Sequence, residues 1–450
     1  MDLHTKTYYK DCLKFNIQNK LKLDIEITEN QYNIPYTALF SVAARKNPKR
    51  SFLFVSKVIG KHIPMSPYNL RLVGNILARD YFSKKNNLVD NNIETLVSDL
   101  IKLNTNFNNK ISKDSLSILN EKLTLNKKTL FIGFAETATA LGQAVASSFE
   151  NGYYIQTTRD ELVSLKSYCL FKEEHSHAVD HLMYPLKDDI FMNCDEIVLV
   201  DDEITTGKTS LNLIKELNKN LKCSNFSIIS ILDWRSDENL KLFNDVDNIN
   251  LSSFSLIKGN FNCVKQGEII EVKPIINVSN NSISSEDIVI NHKENIEGFH
   301  RYSGRFGMAP CDWYNLYNEA EKISKIIKGK IDDSPSLCLG HEEFIFLPSL
   351  VACNLGDNVI FHSSTISPIY CDNSYDFYGI KNKIELDSLF NKSNKNFLYN
   401  IPRDTYKNLI YFTERPLDNK SKENLLKELK NLGILKVIFV SFNSWLRWFI

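Results

Sequence analysis

Residues 196–209 read EIVLVDDEITTGKT. The apolar run Ile197–Val200 has no polar alternation, which describes a strand covered on both faces, as in the middle of a parallel sheet. Asp201 and Asp202 follow at the strand's end, the edge at which open α/β sheets bind ligands. The turn Thr205-Thr206-Gly207-Lys208-Thr209 then opens a helix whose apolar face is Leu213, Ile214 and Leu217. Its first turn offers unpaired N–H groups and the positive end of the helix dipole, with threonine hydroxyls as further donors, and this is a cradle for phosphate. Two carboxylates do not favourably face that phosphate. They suit vicinal sugar hydroxyls, reached directly or through magnesium. A ligand with a diol at one end and a phosphate at the other is a phosphorylated ribose.

Two other readings of the stretch fare worse. A nucleotide-triphosphate loop, GxxxxGK[ST], needs its first glycine at residue 202, which is aspartate. An acidic turn capping a helix explains a bare Asp-Asp pair, but not the whole order of strand, acids, hydroxyls and glycine.

Around this stretch, residues 129–232 alternate short apolar strands with helical segments: TLFIGF (129–134), a helix through 139–149, GYYIQTT (152–158), EIVLV (196–200), a helix through 210–219, and FSIISIL (226–232). That alternation calls for a parallel sheet with helical crossovers. Residues 159–195 interrupt it with a charged excursion carrying His175, His177 and His181, whose spacing matches no established zinc set. VSNNSISSED (278–287) reads as a linker. Beyond it, EFIFLP (343–348), NVIFHSS (358–364), NLIYFTE (408–414) and VIFVS (437–441) suggest strands of a second α/β unit. Residues 1–128 read as mostly polar and helical.

Other segments carry candidate chemistry. IGFAETATALG (132–142) puts small residues at a βα turn, where backbone amides can approach an anion. Thr158 and Arg159 follow the next strand, and Arg159 suits bidentate pairing with an anion. Trp234, in ILDWR, could stack on a planar base, although a packed indole is the commoner fate. Lys57, Lys61 and His62 sit in a basic stretch that reads as a solvated face.

Composition bounds the alternatives. With 450 residues, 43% of them hydrophobic, the chain can bury more than one core. Lys+Arg and Asp+Glu both number 54, so no net charge favours nucleic acid or an anionic membrane. Nine scattered cysteines without CxxC spacing read as reduced thiols, and no apolar run is long enough to span a bilayer. The expectation is a soluble, cytoplasmic protein.

IVLVDDEITTGKT resembles the phosphoribosyl-pyrophosphate (PRPP) signature of type I phosphoribosyltransferases, with Glu203 standing where an aliphatic residue is usual. Together with GFAETATALG, the TTR turn, EEHSHA and the basic block at 41–64, it resembles the orotate-phosphoribosyltransferase-like proteins fused to a TRSP domain and found in tellurite-resistance-associated gene clusters. HRYSGRFG (300–307), GHEEFIFLP (340–348) and SSTISPI (363–369) resemble blocks of that domain. The eponymous Thr-Arg-Ser-Pro here reads Thr365-Ile366-Ser367-Pro368, without the arginine.

The resemblance implies an α/β fold: a phosphoribosyltransferase-like parallel sheet with helices on both faces, plus a smaller C-terminal α/β domain. The expected division is an N-terminal extension (1–35), the transferase-like domain (36–277), a linker (278–295) and the TRSP-like domain (296–450). It further implies PRPP and a base-like acceptor as substrates and magnesium as cofactor, bound mainly through the ligand, with Asp201 and Asp202 as its candidate protein ligands. Those aspartates would hold the ribose hydroxyls, and Thr205, Thr206, Gly207, Lys208 and Thr209 the 5′-phosphate. Ala135, Glu136, Thr137, Ala138, Thr158 and Arg159 would receive pyrophosphate. His175 and His177 would belong to a loop closing over the reaction. A homodimer and a role in making a nucleoside-like metabolite follow by the same likeness, and a PRPP sensor without transferase activity is the alternative.

Overall fold

The strand Glu196–Ile204 runs through the middle of a sheet in the computed structural model, which describes residues 11–47, 50–106, 109–171, 181–186, 190–191, 193–221, 223–244, 246, 248–272, 282–292, 294–390 and 395–443. The sheet has seven strands in the order Asp11–Ile17, Leu21–Glu29, Asn250–Lys265, Asn225–Asp233, Glu196–Ile204, Thr129–Gly133 and Tyr153–Gln156. The last five are mutually parallel, and the first two join as an antiparallel hairpin. Strand order reverses between Thr129–Gly133 and Glu196–Ile204, and a crevice opens there at the carboxyl ends of the strands.

The uninterrupted apolar run has the expected cause. Ile197 and Leu199 pack on one face with Leu213, Ile214 and Leu217 of the helix Lys208–Asn220. Val198 and Val200 pack on the other, in the core that holds Leu70, Leu77 and Tyr81 of the helix Tyr68–Asn86 and Ala140 and Ala144 of the helix Thr139–Ala146.

A second sheet of five parallel strands follows the order Ser284–Asn291, Lys436–Asn443, Asn408–Phe412, Ser336–Gly340, Val359–Ser363. One face packs Leu425 and Leu429 of the helix Asn419–Lys430. The other face shares the large core of the first sheet, through the helices Pro310–Lys328 and Phe346–Leu355. The units are also joined edge to edge. Tyr154 N donates to Met308 O (3.0 Å), Met308 N to Tyr154 O (2.7 Å) and Gln156 N to Gly304 O (3.1 Å), so the 304–308 segment covers the outer strand of the first sheet.

Several expectations change. Residues 11–29 form a hairpin of the first sheet, because Leu21, Leu23, Ile25 and Ile27 alternate with polar residues and bury one face. Phe40–Ala44 and Phe52–Ser56 pair as a separate two-stranded hairpin, again where helix was expected. EFIFLP is no strand: Phe346 begins a helix, and the strand lies earlier, at Ser336–Gly340. Part of the predicted linker, Ser284–Asn291, is an edge strand of the second sheet. Of the excursion, Cys169–Phe171 and His181–Met183 pair antiparallel, while Lys172, His175 and His177 fall outside the described residues.

Candidate active site

The strand bearing the aspartates is longer than its apolar run. It continues to Ile204 because the neighbouring strand is long enough to pair with it, with Ser230 opposite Asp201 and Leu232 opposite Glu203. Gly207 then turns the chain into the helix with φ of +75°, and a Cβ there would meet the Phe243 ring at 2.7 Å, so glycine is required twice over. Gly207 is the N-cap residue and makes no side-chain cap bond, which leaves most leading amides of Lys208–Asn220 without a capping side chain. Thr206 Oγ1 lies 3.4 Å from Lys208 N.

The other βα turn at the crevice is built around Phe134–Ala138. Phe134 N donates to Val200 O (3.2 Å) and Ala135 N to Thr157 Oγ1 (2.9 Å), tying the turn to two neighbouring strands. The Ala135–Glu136 peptide is cis. Thr137 Oγ1 donates to Asp202 Oδ1 at 2.7 Å, so this turn touches the acidic end of the central strand across the crevice. Glu136, unexpected beside an anion site, pairs with Arg159 at 3.2 Å.

The charges here are set by burial and neighbours. Burial, then the adjacent Asp202 carboxyl, push Asp201 well above the usual carboxylate range. Its Oδ1 accepts a bond from Asp202 N (2.9 Å). Such a pair gains from a ligand that supplies donors or positive charge. Burial raises the Glu203 carboxyl as well, against the pull of Arg50, with which it pairs at 2.5 Å. That partner gives the extra acid beside the aspartates its counter-charge.

These groups line one cavity of about 210 Å³. Asp201, Asp202, Thr205, Thr206, Gly207 and Thr209 form one wall, and Ala135, Glu136, Thr137 and Arg159 another. Three residues of the expected set stand off it. Lys208 is not among the lining residues, and Ala138 and Thr158 are fully buried beneath the surface. The Thr158 hydroxyl points to Glu343 Oε2 (3.2 Å) in the C-terminal unit. His181 does line the cavity, held by Thr157 Oγ1 at 3.0 Å from its Nδ1.

The remaining wall comes from Arg45, Arg50, Leu53, His62, Thr365 and Ser367. Sequence reasoning set Lys61 and His62 on a solvated face, yet they are 1% and 3% exposed. Nothing local could have shown this, because the C-terminal unit buries them. Lys61 Nζ donates to Glu342 O at 3.0 Å, and Asn400 Nδ2 to the His62 carbonyl at 2.9 Å. Trp234 is a core residue, stacked on Phe54 with centroids 5.0 Å apart, and lines no part of the cavity.

Residues 39–260 match the family described as phosphoribosyl transferase, and residues 302–429 match the TRSP domain that lies C-terminal to it in that family. The chain belongs to this fused phosphoribosyltransferase–TRSP family. Together the two matches take in more than three quarters of the sequence. It is therefore a phosphoribosyltransferase by family. Among solved structures, it is similar to adenine phosphoribosyltransferase of Trypanosoma brucei in complex with AMP, pyrophosphate and ribose-5-phosphate. That match has 13% identity, covers 52% of this chain and 82% of that one, and has a TM-score of 0.30. The Leishmania tarentolae adenine enzyme matches with 12% identity over 50% and 87% of the two chains, at a TM-score of 0.26. A hypoxanthine phosphoribosyltransferase of Staphylococcus aureus matches with 10% identity over 44% and 79%, at 0.20. No curated protein matches the chain. Among the described residues no helix is long and apolar enough to cross a membrane.

Proposed function

We propose that this phosphoribosyltransferase takes PRPP as donor and moves its 5-phosphoribosyl group to a base-like acceptor, with loss of pyrophosphate, in the cytoplasmic synthesis of a nucleoside-like metabolite. One observation supports this reading above the others: Asp201 and Asp202 share a single cavity with the Thr205–Thr209 turn, at the reversal point of the sheet. Carboxylates on one side and helix-leading amides on the other match a sugar diol and its phosphate tail.

Breaking the anomeric C–O bond builds positive character on the ribose and negative charge on the departing pyrophosphate. Asp201 and Asp202 hold the 2′ and 3′ hydroxyls near the cationic carbon. The amides of the 207–209 turn and the hydroxyls of Thr205, Thr206 and Thr209 anchor the 5′-phosphate. Arg159 and the backbone of Ala135–Thr137 receive the leaving group, once Arg159 exchanges Glu136 for a phosphate oxygen. The donor set suits magnesium. Burial, and then the charge of Asp202, raise the Asp201 carboxyl, and a divalent ion held by the pair would ease both the desolvation and the repulsion. Magnesium, when bound, supplies charge neutralisation for pyrophosphate. Pairing of two chains into a homodimer belongs to the same proposal.

The test is calorimetric binding of PRPP with magnesium, alongside pyrophosphate release over a panel of bases, in the wild type and in Asp201→Asn/Asp202→Asn. At roughly 1.5–3 kcal/mol per charge-assisted bond, the double variant should lose most PRPP affinity and turnover while its melting curve stays near the wild type. Normal turnover in that variant would refute the assignment. Binding without turnover for every base would favour the sensor.

A further inference from the structure

Once PRPP is placed as proposed above, two walls of the cavity are taken: the aspartates with the 205–209 turn, and the 135–137 turn with Arg159. The wall left over is mixed in origin. His62 follows the separate hairpin Phe40–Ala44/Phe52–Ser56, whereas Thr365 and Ser367 come from the loop after Val359–Ser363, at the carboxyl edge of the TRSP sheet.

This wall is rigidly joined. Lys46 N donates to Pro368 O (3.1 Å) and Tyr370 N to Ala44 O (3.0 Å), which lace the Thr365–Pro368 segment to the hairpin. His362 Nδ1 and Ser363 Oγ lie 3.1 and 2.9 Å from the Gly60 carbonyl, and Asn400 holds the His62 carbonyl. Polar groups on the wall nevertheless lack partners among the described residues. Both ring nitrogens of His62 are buried with no hydrogen bond to them, and so is Ser367 Oγ. Buried polar atoms left unbonded cost stability, and a ligand is one reason a fold tolerates them.

The chemistry of these groups is neutral. Burial, then Lys61, His362 and Arg45, hold the His62 imidazole well below its ordinary value, so at neutral pH it offers one N–H donor and one lone pair. Thr365 and Ser367 add hydroxyls, while Leu53 and Phe134 give the cavity apolar surface. Two arginines share this wall: Arg50 is already paired with Glu203, and the charge of Arg45 helps to keep the His62 imidazole neutral.

We infer that the TRSP domain completes the transferase site: His62, Thr365 and Ser367 form the acceptor subsite, and its occupant is an uncharged planar nitrogen heterocycle presenting a donor and an acceptor on one edge. This rests on the PRPP reading above, and it assigns the C-terminal domain a role in specificity.

The experiment measures PRPP binding first, in the full chain with magnesium, and then initial rates of pyrophosphate release with adenine, hypoxanthine, uracil, nicotinamide and orotate. The expected result is turnover with at least one uncharged member. Its KM should rise tenfold or more in Ser367→Ala and in His62→Gln, with the KM for PRPP within threefold of wild type. Ser367→Ala removes an unbonded hydroxyl, so folding is not at stake there. Failure of the wild type to bind PRPP would sink the underlying reading. PRPP binding with no turnover on any panel member would favour the sensor and remove the subsite with the transferase reading, whereas turnover indifferent to both substitutions, or a more than tenfold preference for orotate over uracil, would overturn the acceptor subsite alone.

Discussion

Arg305 and Asp160 meet at 3.2 Å although 145 positions separate them in the chain. Arg305 is 2% exposed and also bonds Glu343 (3.2 Å) and Glu414 (2.8 and 3.0 Å), each of which follows a strand of the second sheet. Glu343 in turn accepts from Thr158. The residues flanking Arg159 on either side are thus held by the TRSP domain, which makes that domain part of the frame of the pyrophosphate wall.

Replacing Arg305 by methionine leaves Glu343 and Glu414 buried without their counter-charge. Breaking a buried pair in this way costs about 3–5 kcal/mol, so the melting temperature should fall by many degrees in calorimetry. Among molecules that remain folded at low temperature, affinity for pyrophosphate should drop more than affinity for ribose 5-phosphate, because only the Arg159 side loses its support. Equal loss for both ligands would mean that Arg305 acts on the fold alone.

Glu343 adds a pH dependence. Its carboxyl is raised to about 7, by burial above all; Arg305 pulls against that shift, and Asp160 and Glu136 add to it. A carboxyl raised in the folded state binds its proton more tightly there than in the unfolded chain. Its contribution is therefore complete below the unfolded value of about 4.5 and is lost as pH climbs toward 7. Glu343→Gln should flatten that part of the stability curve in urea titrations between pH 5 and 8, while keeping the bond from Thr158. An unchanged slope would show that Glu343 stays ionised throughout.

Much of the transferase half was legible because its signals are local. Ile197–Val200 must be covered on both faces, and a carboxylate pair before a hydroxyl-rich, glycine-opened helix has few other uses. The opposite wall was illegible for the converse reason. His62 looks solvated within KHIP, and becomes buried only because Gly60 meets His362 and Ser363, and His62 itself meets Asn400, across 300 or more residues of chain. The partners of Glu203 and Glu136 were hidden in the same way, since Arg50 and Arg159 reach them through the fold. EFIFLP misled because a short apolar run does not distinguish a buried helix from a strand.

Gly207→Ala should be costly beyond its size. The left-handed φ of +75° disfavours any Cβ by roughly 1–2 kcal/mol, and the new methyl would meet the Phe243 ring at 2.7 Å. The Thr205–Thr209 turn must then shift, so ribose 5-phosphate affinity should fall together with stability. If calorimetry shows the variant binding ribose 5-phosphate as the wild type does, the turn is not the phosphate anchor.

Trp234 separates packing from recognition. Its indole stacks on Phe54, meets Phe40 edge-on with centroids 5.9 Å apart, and buries its Nε1 without a hydrogen-bond partner among the described residues. Trp234→Ala should therefore cost about 3–5 kcal/mol of stability, as for other large core rings. Trp234→Phe removes the unbonded N–H along with part of the ring, and relief of that burial offsets some of the lost packing. The phenylalanine variant should melt close to the wild type and keep its KM for the acceptor. A raised acceptor KM with an unchanged melting temperature would instead place the indole against the substrate, which the position of this side chain behind the Phe40–Ala44/Phe52–Ser56 hairpin argues against.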